Sequence, residues 1–153
     1  MINNFSIKSL LTFSIVIYGL ITISSCNKDE KGVDNIESYF KEKNISPQIT
    51  DDGLYYIIQN PGNSERANLL STVRLKYKGY LQTDKLFDDN KGEVAEFNLS
   101  ETVPGFKRGL LLLGEGGKAT IYMPSYLGYG QQERPSIPSG SSLIFDIELL
   151  EIK

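Results

Sequence analysis

Val73-Arg74-Leu75-Lys76-Tyr77-Lys78-Gly79-Tyr80-Leu81-Gln82-Thr83-Asp84-Lys85-Leu86-Phe87-Asp88-Asp89-Asn90 is the stretch on which the fold turns. Val73, Leu75 and Tyr77 alternate with Arg74, Lys76 and Lys78, the period of a strand that buries one face. Gly79 interrupts the pattern where a bulge or a close approach to the backbone is expected. Thr83-Asp84 suits a hairpin turn, although a glycine would suit it better. Leu86 and Phe87 resume extended structure, and Asp88 to Glu93 is expected to be a loop. The stretch therefore delivers a ring and a carboxylate side by side, Phe87 and Asp88.

Working outward, Asp34 to Asn44 predicts a short helix. Asp34 is a candidate cap with Glu37 three residues on, and Ile36, Tyr39 and Phe40 share a face. A helix this short either packs on the domain or frays. Asp51-Asp52-Gly53 and Asn60-Pro61-Gly62-Asn63 are turns that bound a strand from Leu54 to Gln59. Beyond the opening stretch, Val94 to Leu99 is a strand. Pro104 then opens a helix with Phe106, Leu110 and Leu113 at i, i+4 and i+7 and Gly114 as its C-cap. Lys118 to Met123 is a strand, and Pro124 to Gly140 is a long loop of the kind that is either functional or disordered. Ser142 to Ile152 is the last strand, with Leu143, Phe145, Ile147 and Leu149 set against Ser142, Ile144, Asp146 and Glu148. Five or so antiparallel strands and one central helix make an α+β domain, a twisted sheet with one face covered by a helix.

Composition narrows the chemistry. The 153 residues allow one domain and a tail, and a net charge of −3 without a basic face speaks against nucleic-acid binding. Histidine is absent and Cys26 is the single cysteine. That removes a Ser-His-Asp or Cys-His device, a His-ligated metal, an internal disulfide and a cysteine metal cluster. No metal and no cofactor is expected. What remains for chemistry is carboxylates, tyrosines, lysines, backbone groups and shape.

The N-terminus has the pattern of an address. Lys8 precedes an apolar run from Leu10 to Ile23, too short to span a bilayer comfortably but suited to a secretory leader. Ile23-Ser24-Ser25-Cys26 then resembles the lipobox of bacterial lipoproteins. The resemblance implies a signal peptide over 1–25, acylation of Cys26, and a chain held to a lipid bilayer outside the cytoplasm. The anchored protein would face the periplasm or lie on the outer-membrane surface. Residues 26–50 would hold the lipidated cysteine, a polar tether and the short helix, ahead of a domain over 51–153. Lys28-Asp29-Glu30 resembles a surface-export signal of some bacterial lipoproteins, but three charged residues also describe a solvated linker.

From about Gly53 onward the chain resembles the FK506-binding-protein (FKBP) family of peptidyl-prolyl cis-trans isomerases. The matching residues run in order: Tyr77-Lys78-Gly79-Tyr80-Leu81, Phe87-Asp88, Phe97, Val103-Pro104-Gly105-Phe106, Gly116-Gly117-Lys118-Ala119, Pro124-Ser125, Leu127-Gly128-Tyr129-Gly130, Ile137-Pro138 and Leu143 to Leu150. The resemblance implies a half-barrel of antiparallel sheet wrapped around one short α-helix, with an apolar pocket for proline between them. Carried over position by position, the pocket walls are Tyr77, Phe87, Phe97, Val103, Ile137 and Phe145, and the floor is Phe106. Tyr129 brings a hydroxyl to the rim and Asp88 a carboxylate; with Phe87 these form the catalytic group.

Taken one at a time, Tyr77, Phe97 and Phe145 are what a core needs, and Asp88 is what a turn needs. The family pattern is what joins them. It also shows departures. Phe106 stands where the family usually has tryptophan, Asp89-Asn90 where two serines are common, and Thr83-Asp84 where Asp-Gly is favoured. Gln131 to Ser136 falls in a variable, substrate-contacting loop. The implied partners are proline-containing polypeptides exported from the cytoplasm, met by a monomer. A low-activity binding or scaffold module of a surface or gliding-motility apparatus is the alternative.

Overall fold

The computed structural model describes residues 35–153; the leader, Cys26 and Asp34 lie outside the described residues. Seven strands form one antiparallel sheet: β1 (Gln48–Ile49), β2 (Tyr55–Asn60), β3 (Thr72–Leu81), β4 (Leu86–Asp89), β5 (Ala95–Asn98), β6 (Lys118–Met123) and β7 (Leu143–Ile152). Two helices accompany them, α1 (Ile36–Lys43) and α2 (Pro104–Leu111). The class is α+β, with an open sheet.

The strand order is β1-β2-β6-β7-β3-β4, with β5 also paired to β3. β3 is thus the strand around which the sheet is arranged. One edge pairs with β7 over its whole length, from Val73↔Ile152 to Leu81↔Leu143. The other edge is shared: β5 covers Thr72 to Leu75 and β4 covers Lys78 to Tyr80. The gap between the two falls at Tyr77, whose N–H donates instead to Asn90 Oδ1 at 3.3 Å.

Period-two alternation places Val73, Leu75, Tyr77 and Leu81 of β3 on the same face as Leu143, Phe145, Ile147 and Leu149 of β7. Their partners are Ala119, Ile121 and Met123 of β6 and Phe106, Leu110 and Leu113 around α2, all in one buried cluster. α2 lies very close to β6: a Cβ on Gly109 would stand 2.7 Å from Ile121 Cγ2. Glycine is therefore required at that contact. The helix ends at Leu111 with Leu112 as its C-cap, two residues before the expected cap Gly114.

The opposite face of the sheet carries a second cluster. Ile36 and Phe40 of α1 pack on Tyr122 and Ile144, with Tyr39, Tyr55, Ile57 and Tyr80 around them. The Phe40 ring meets those of Tyr55 and Tyr122 at 4.9 and 5.1 Å between centroids. The helix that would either pack or fray is thus packed. Its N-cap is Asn35, whose Oδ1 accepts from the Ser38 N–H at 3.0 Å. Glu37 accepts from the Tyr55 hydroxyl at 3.1 Å.

The hairpin turn at Thr83-Asp84 is found, and one local expectation gives way. The β3–β4 loop is Gln82-Thr83-Asp84, with Asp84 left-handed at φ 61° and backbone bonds Asp84 N–H to Leu81 O and Leu81 N–H to Lys85 O. A three-residue loop whose last residue is left-handed suits the right-handed twist of the strands. Asp88 and Asp89 continue β4 rather than open a loop. Gln48–Ile49 adds an edge strand too short to show a period.

Candidate active site

Phe106 is the centre from which the site is built. It is 5% exposed and sits in the first turn of α2, packed against rings from the sheet. Its ring lies 5.1 Å from Phe145, 5.7 Å from Phe97 and 6.1 Å from Tyr77, between centroids, with interplanar angles of 67°, 74° and 78°. Edge-to-face packing of this kind suits the ring quadrupoles. Phe87 joins through Phe145 at 5.5 Å and 88°. Five rings from four elements (β3, β4, β5 and β7) and α2 thus line one side each of a common space.

Gly79 explains how Phe87 reaches that space. A Cβ at Gly79 would stand 2.7 Å from Phe87 Cζ and 2.9 Å from Phe145 Cε1, so only a bare Cα lets both rings cross β3. The register between β3 and β4 also shifts here, between Gly79 and Tyr80. Both expectations attached to this glycine, a bulge and a close approach, are met at one residue.

The pocket has a volume of about 220 Å³ and is lined by Tyr77, Phe87, Asp88, Phe97, Glu101, Thr102, Val103, Phe106, Tyr129 and Phe145. The structure brings together all the expected site residues of the domain except one. Ile137 is buried in the main cluster and does not line the pocket. Glu101 and Thr102 line it unannounced by the sequence. They sit on and after a single 3-10 turn, Leu99–Glu101, that Asn98 caps by accepting from the Ser100 N–H at 2.9 Å. The Asn98-Leu99-Ser100 pattern is the one signal that could have marked the turn.

Polar groups are few and ordered. The Tyr77 hydroxyl donates to Asp88 Oδ2 at 2.8 Å. Burial first, and then this hydrogen bond, push the Tyr77 phenol well above the usual tyrosine range, so it stays neutral and donating. Val103 is the N-cap of α2 and offers no side-chain cap. The first amides of a helix have no acceptor of their own. Tyr129 follows a 3-10 turn, Ser125–Leu127, and its ring is half-buried against the core.

A larger cavity, about 410 Å³, lies elsewhere, lined by Lys76, Lys78, Lys118, Asp146 and Glu148 among others. Its charges pair across strands, Lys118 with Glu148 at 3.1 Å, and Thr120 donates to Asp146 at 2.7 Å. That is a solvated, charged face of a sheet. An aromatic, mostly apolar hollow with a few convergent polar groups is the better candidate for a site.

The fold and the hollow together define a class: an antiparallel sheet packed on a short helix, with an aromatic cage at the helix start. The FKBP-type peptidyl-prolyl cis-trans isomerase family model matches residues 63–150, and the chain belongs to that family. Among curated proteins it is 36% identical over 131 residues to the FKBP-type peptidyl-prolyl cis-trans isomerase FkpA of Escherichia coli K12, covering 84% of this chain and 48% of that one. It is 37% identical over 108 residues to a probable FKBP-type peptidyl-prolyl cis-trans isomerase of Haemophilus influenzae, covering 69% and 45%. The chain thus spans about half the length of the curated relatives it matches. The crystal structure of FkpA from Escherichia coli superposes with a TM-score of 0.69 at 37% identity, over 76% of this chain and 55% of that one. A peptidyl-prolyl cis-trans isomerase from Pseudomonas syringae shares the fold, with a TM-score of 0.68 at 23% identity over 76% and 90%.

Proposed function

We propose that this chain catalyses cis-trans rotation about X-Pro bonds of exported polypeptides, held to a bilayer through acylated Cys26 on the periplasmic face or the outer-membrane surface. The observation that carries the activity is the cage of Tyr77, Phe87, Phe97, Phe106 and Phe145, with one internal hydrogen bond, Tyr77 to Asp88. The anchor rests on the lipobox pattern at Cys26. No helix among the described residues is long and apolar enough to cross a membrane.

Resonance holds the amide planar behind a barrier of about 18–20 kcal/mol. Water favours the planar, charge-separated form over the twisted one. Moving the bond into an aromatic hollow withdraws that preference, so the twisted form is bound better than the planar one. Lowering the barrier by about 6–8 kcal/mol corresponds to roughly 10⁴–10⁶ in rate.

In this reading the pyrrolidine ring rests on Phe106 between Phe97, Phe87 and Phe145. The Val103 N–H and the Tyr129 hydroxyl hold substrate carbonyls. Asp88, fixed by Tyr77, orients the wall beside the rotating bond. A binding module of low turnover is the second reading, and Phe106, which offers the floor no N–H, is the residue that favours it. The test is acceleration of X-Pro isomerisation by the full chain over several residues X. Absence of acceleration with every peptide would sink the enzymatic reading.

A further inference from the structure

Arg134 is exposed and does not line the pocket, but it is tied to a residue that does, Tyr129. Its backbone closes a four-residue turn in both directions: Arg134 N–H donates to Ile137 O and Ile137 N–H donates to Arg134 O, both at 3.0 Å. Pro135 fixes the second position of that turn, and Ser136 takes the third at φ 67°, the pattern that a left-handed third position demands. Buried Ile137 pins the far end of the turn in the main core.

From this fixed base the side chain reaches the Tyr129 ring. The guanidinium carbon stands 5.3 Å from the centroid of the Tyr129 ring, and Nη2 donates to Gln132 Oε1 at 3.1 Å. Tyr129 lines the pocket, so the cation is stacked on a residue that substrate would touch. Arg134 belongs to none of the ion pairs found among the described residues. Stacking leaves the rim of a guanidinium, with its donors in a fork, free to meet a carboxylate.

The charged residues that line the pocket are acidic. Glu101 lines the mouth and is likewise in no ion pair among the described residues. Asp88 is engaged by Tyr77, Glu133 is exposed next to Arg134, and Lys107 reaches Ser100 O at 3.5 Å beside Glu101. Arg134 thus sets a positive charge beside a pocket whose own charged lining residues, Asp88 and Glu101, are both carboxylates, with Lys107 the other nearby cation.

We propose that Arg134 is a specificity-determining residue that favours polypeptides with an acidic side chain adjacent to the proline. This rests on the proposed isomerase reading of the same pocket. An exposed charge pair of this kind is worth about a two- to fivefold preference, and less at high salt.

The test uses the full chain and two sets of short peptides, with Glu, Gln or Lys either directly before or directly after the proline. Turnover efficiency and equilibrium binding are measured for each, at low salt and at about 0.5 M salt. In one of the two sets Glu exceeds Lys by about two- to fivefold at low salt in both quantities. Arg134→Gln brings that ratio close to one, and Arg134→Lys retains a part of it because the charge stays while the stacked fork is lost. A Glu-to-Lys ratio that is the same in the parent chain and in Arg134→Gln, for both sets and both quantities, overturns the proposal. If no peptide is turned over, the isomerase reading fails instead, and the binding ratios still decide the role of Arg134.

Discussion

The Tyr77 hydroxyl and the Asp88 carboxylate meet at 2.8 Å across the two strands of one hairpin. The bond closes the pocket wall that β3 and β4 share, and it lies beside the gap where β4 stops and β5 has not yet begun. Tyr77→Phe keeps the ring packing and removes the donor. We expect a loss of about 1 kcal/mol in stability by urea titration. Catalytic efficiency falls several-fold as Asp88 loses its fixed orientation, and Asp88→Asn gives a fall of the same kind.

The raised phenol of Tyr77 sets a pH dependence of definite sign. The folded state holds this proton more tightly than the unfolded chain does. Its contribution is therefore fully present below pH about 10 and is lost as pH rises beyond that value. Ultraviolet titration of tyrosinate in the folded protein should show one fewer late-titrating phenol in Tyr77→Phe, with Tyr39, Tyr55 and Tyr122 still titrating late in both proteins. The stability curves of the two proteins should converge above pH about 11.

At Gly79 the expected outcome is structural. Gly79→Ala forces Phe87 and Phe145 apart, because the new methyl group would stand within 3 Å of both rings. Overpacking of this kind costs about 1–3 kcal/mol. Denaturant titration reads that cost, and near-ultraviolet dichroism reads the displaced rings.

For the floor, Phe106→Ala removes a buried ring that touches three others. A loss of about 3–5 kcal/mol is expected by urea titration. Phe106→Leu retains most of the apolar volume and separates the two roles. It should keep the fold while weakening proline-peptide binding by calorimetry.

The clasp between α1 and the hairpin tip should open in acid. Asp84 accepts from Tyr39 Oη at 2.8 Å and pairs with Lys43 Nζ at 2.5 Å. The Lys43 hydrogen bond first, then that from Tyr39, hold its carboxyl below the usual range. A depressed carboxyl contributes above its unfolded pKa of about 3.9 and loses that contribution as pH falls below it. Amide exchange in α1 should accelerate over that acid range before exchange in β3 and β7 does. Asp84→Asn should remove the pH step.

Legibility in the sequence followed where one period governed one face. β3 and β7 alternate cleanly toward the α2 side, so Val73, Leu75, Leu143, Phe145 and Ile147 were readable as core. Tyr122 and Ile144 were not readable in the same way, since they sit on the face that alternation assigns to solvent. They are buried because α1 arrives from more than 70 residues earlier in the chain to cover them. Phe87 and Phe97 were legible as cage residues only through family order, because β4 and β5 are too short to show a period. Ile137 leaves the expected lining and Glu101, for which no role was expected, joins it, each for a local reason. One is pulled into the core by the Arg134–Ile137 turn, and the other is lifted onto the rim by a capped 3-10 turn.

β7 is the last strand in chain order, yet it lies between β6 and β3 in the sheet. Phe145 therefore reaches the cage only after β3, β4, β5, α2 and β6 have all been made. A chain threaded across a membrane from its N-terminus would have no cage until Ile152 had emerged. Up to that moment β3 and β6 present open edges with apolar faces, a state prone to mispairing. Under the function and export proposed above, a helper for the folding of other chains would itself meet, while crossing the membrane, the hazard it relieves.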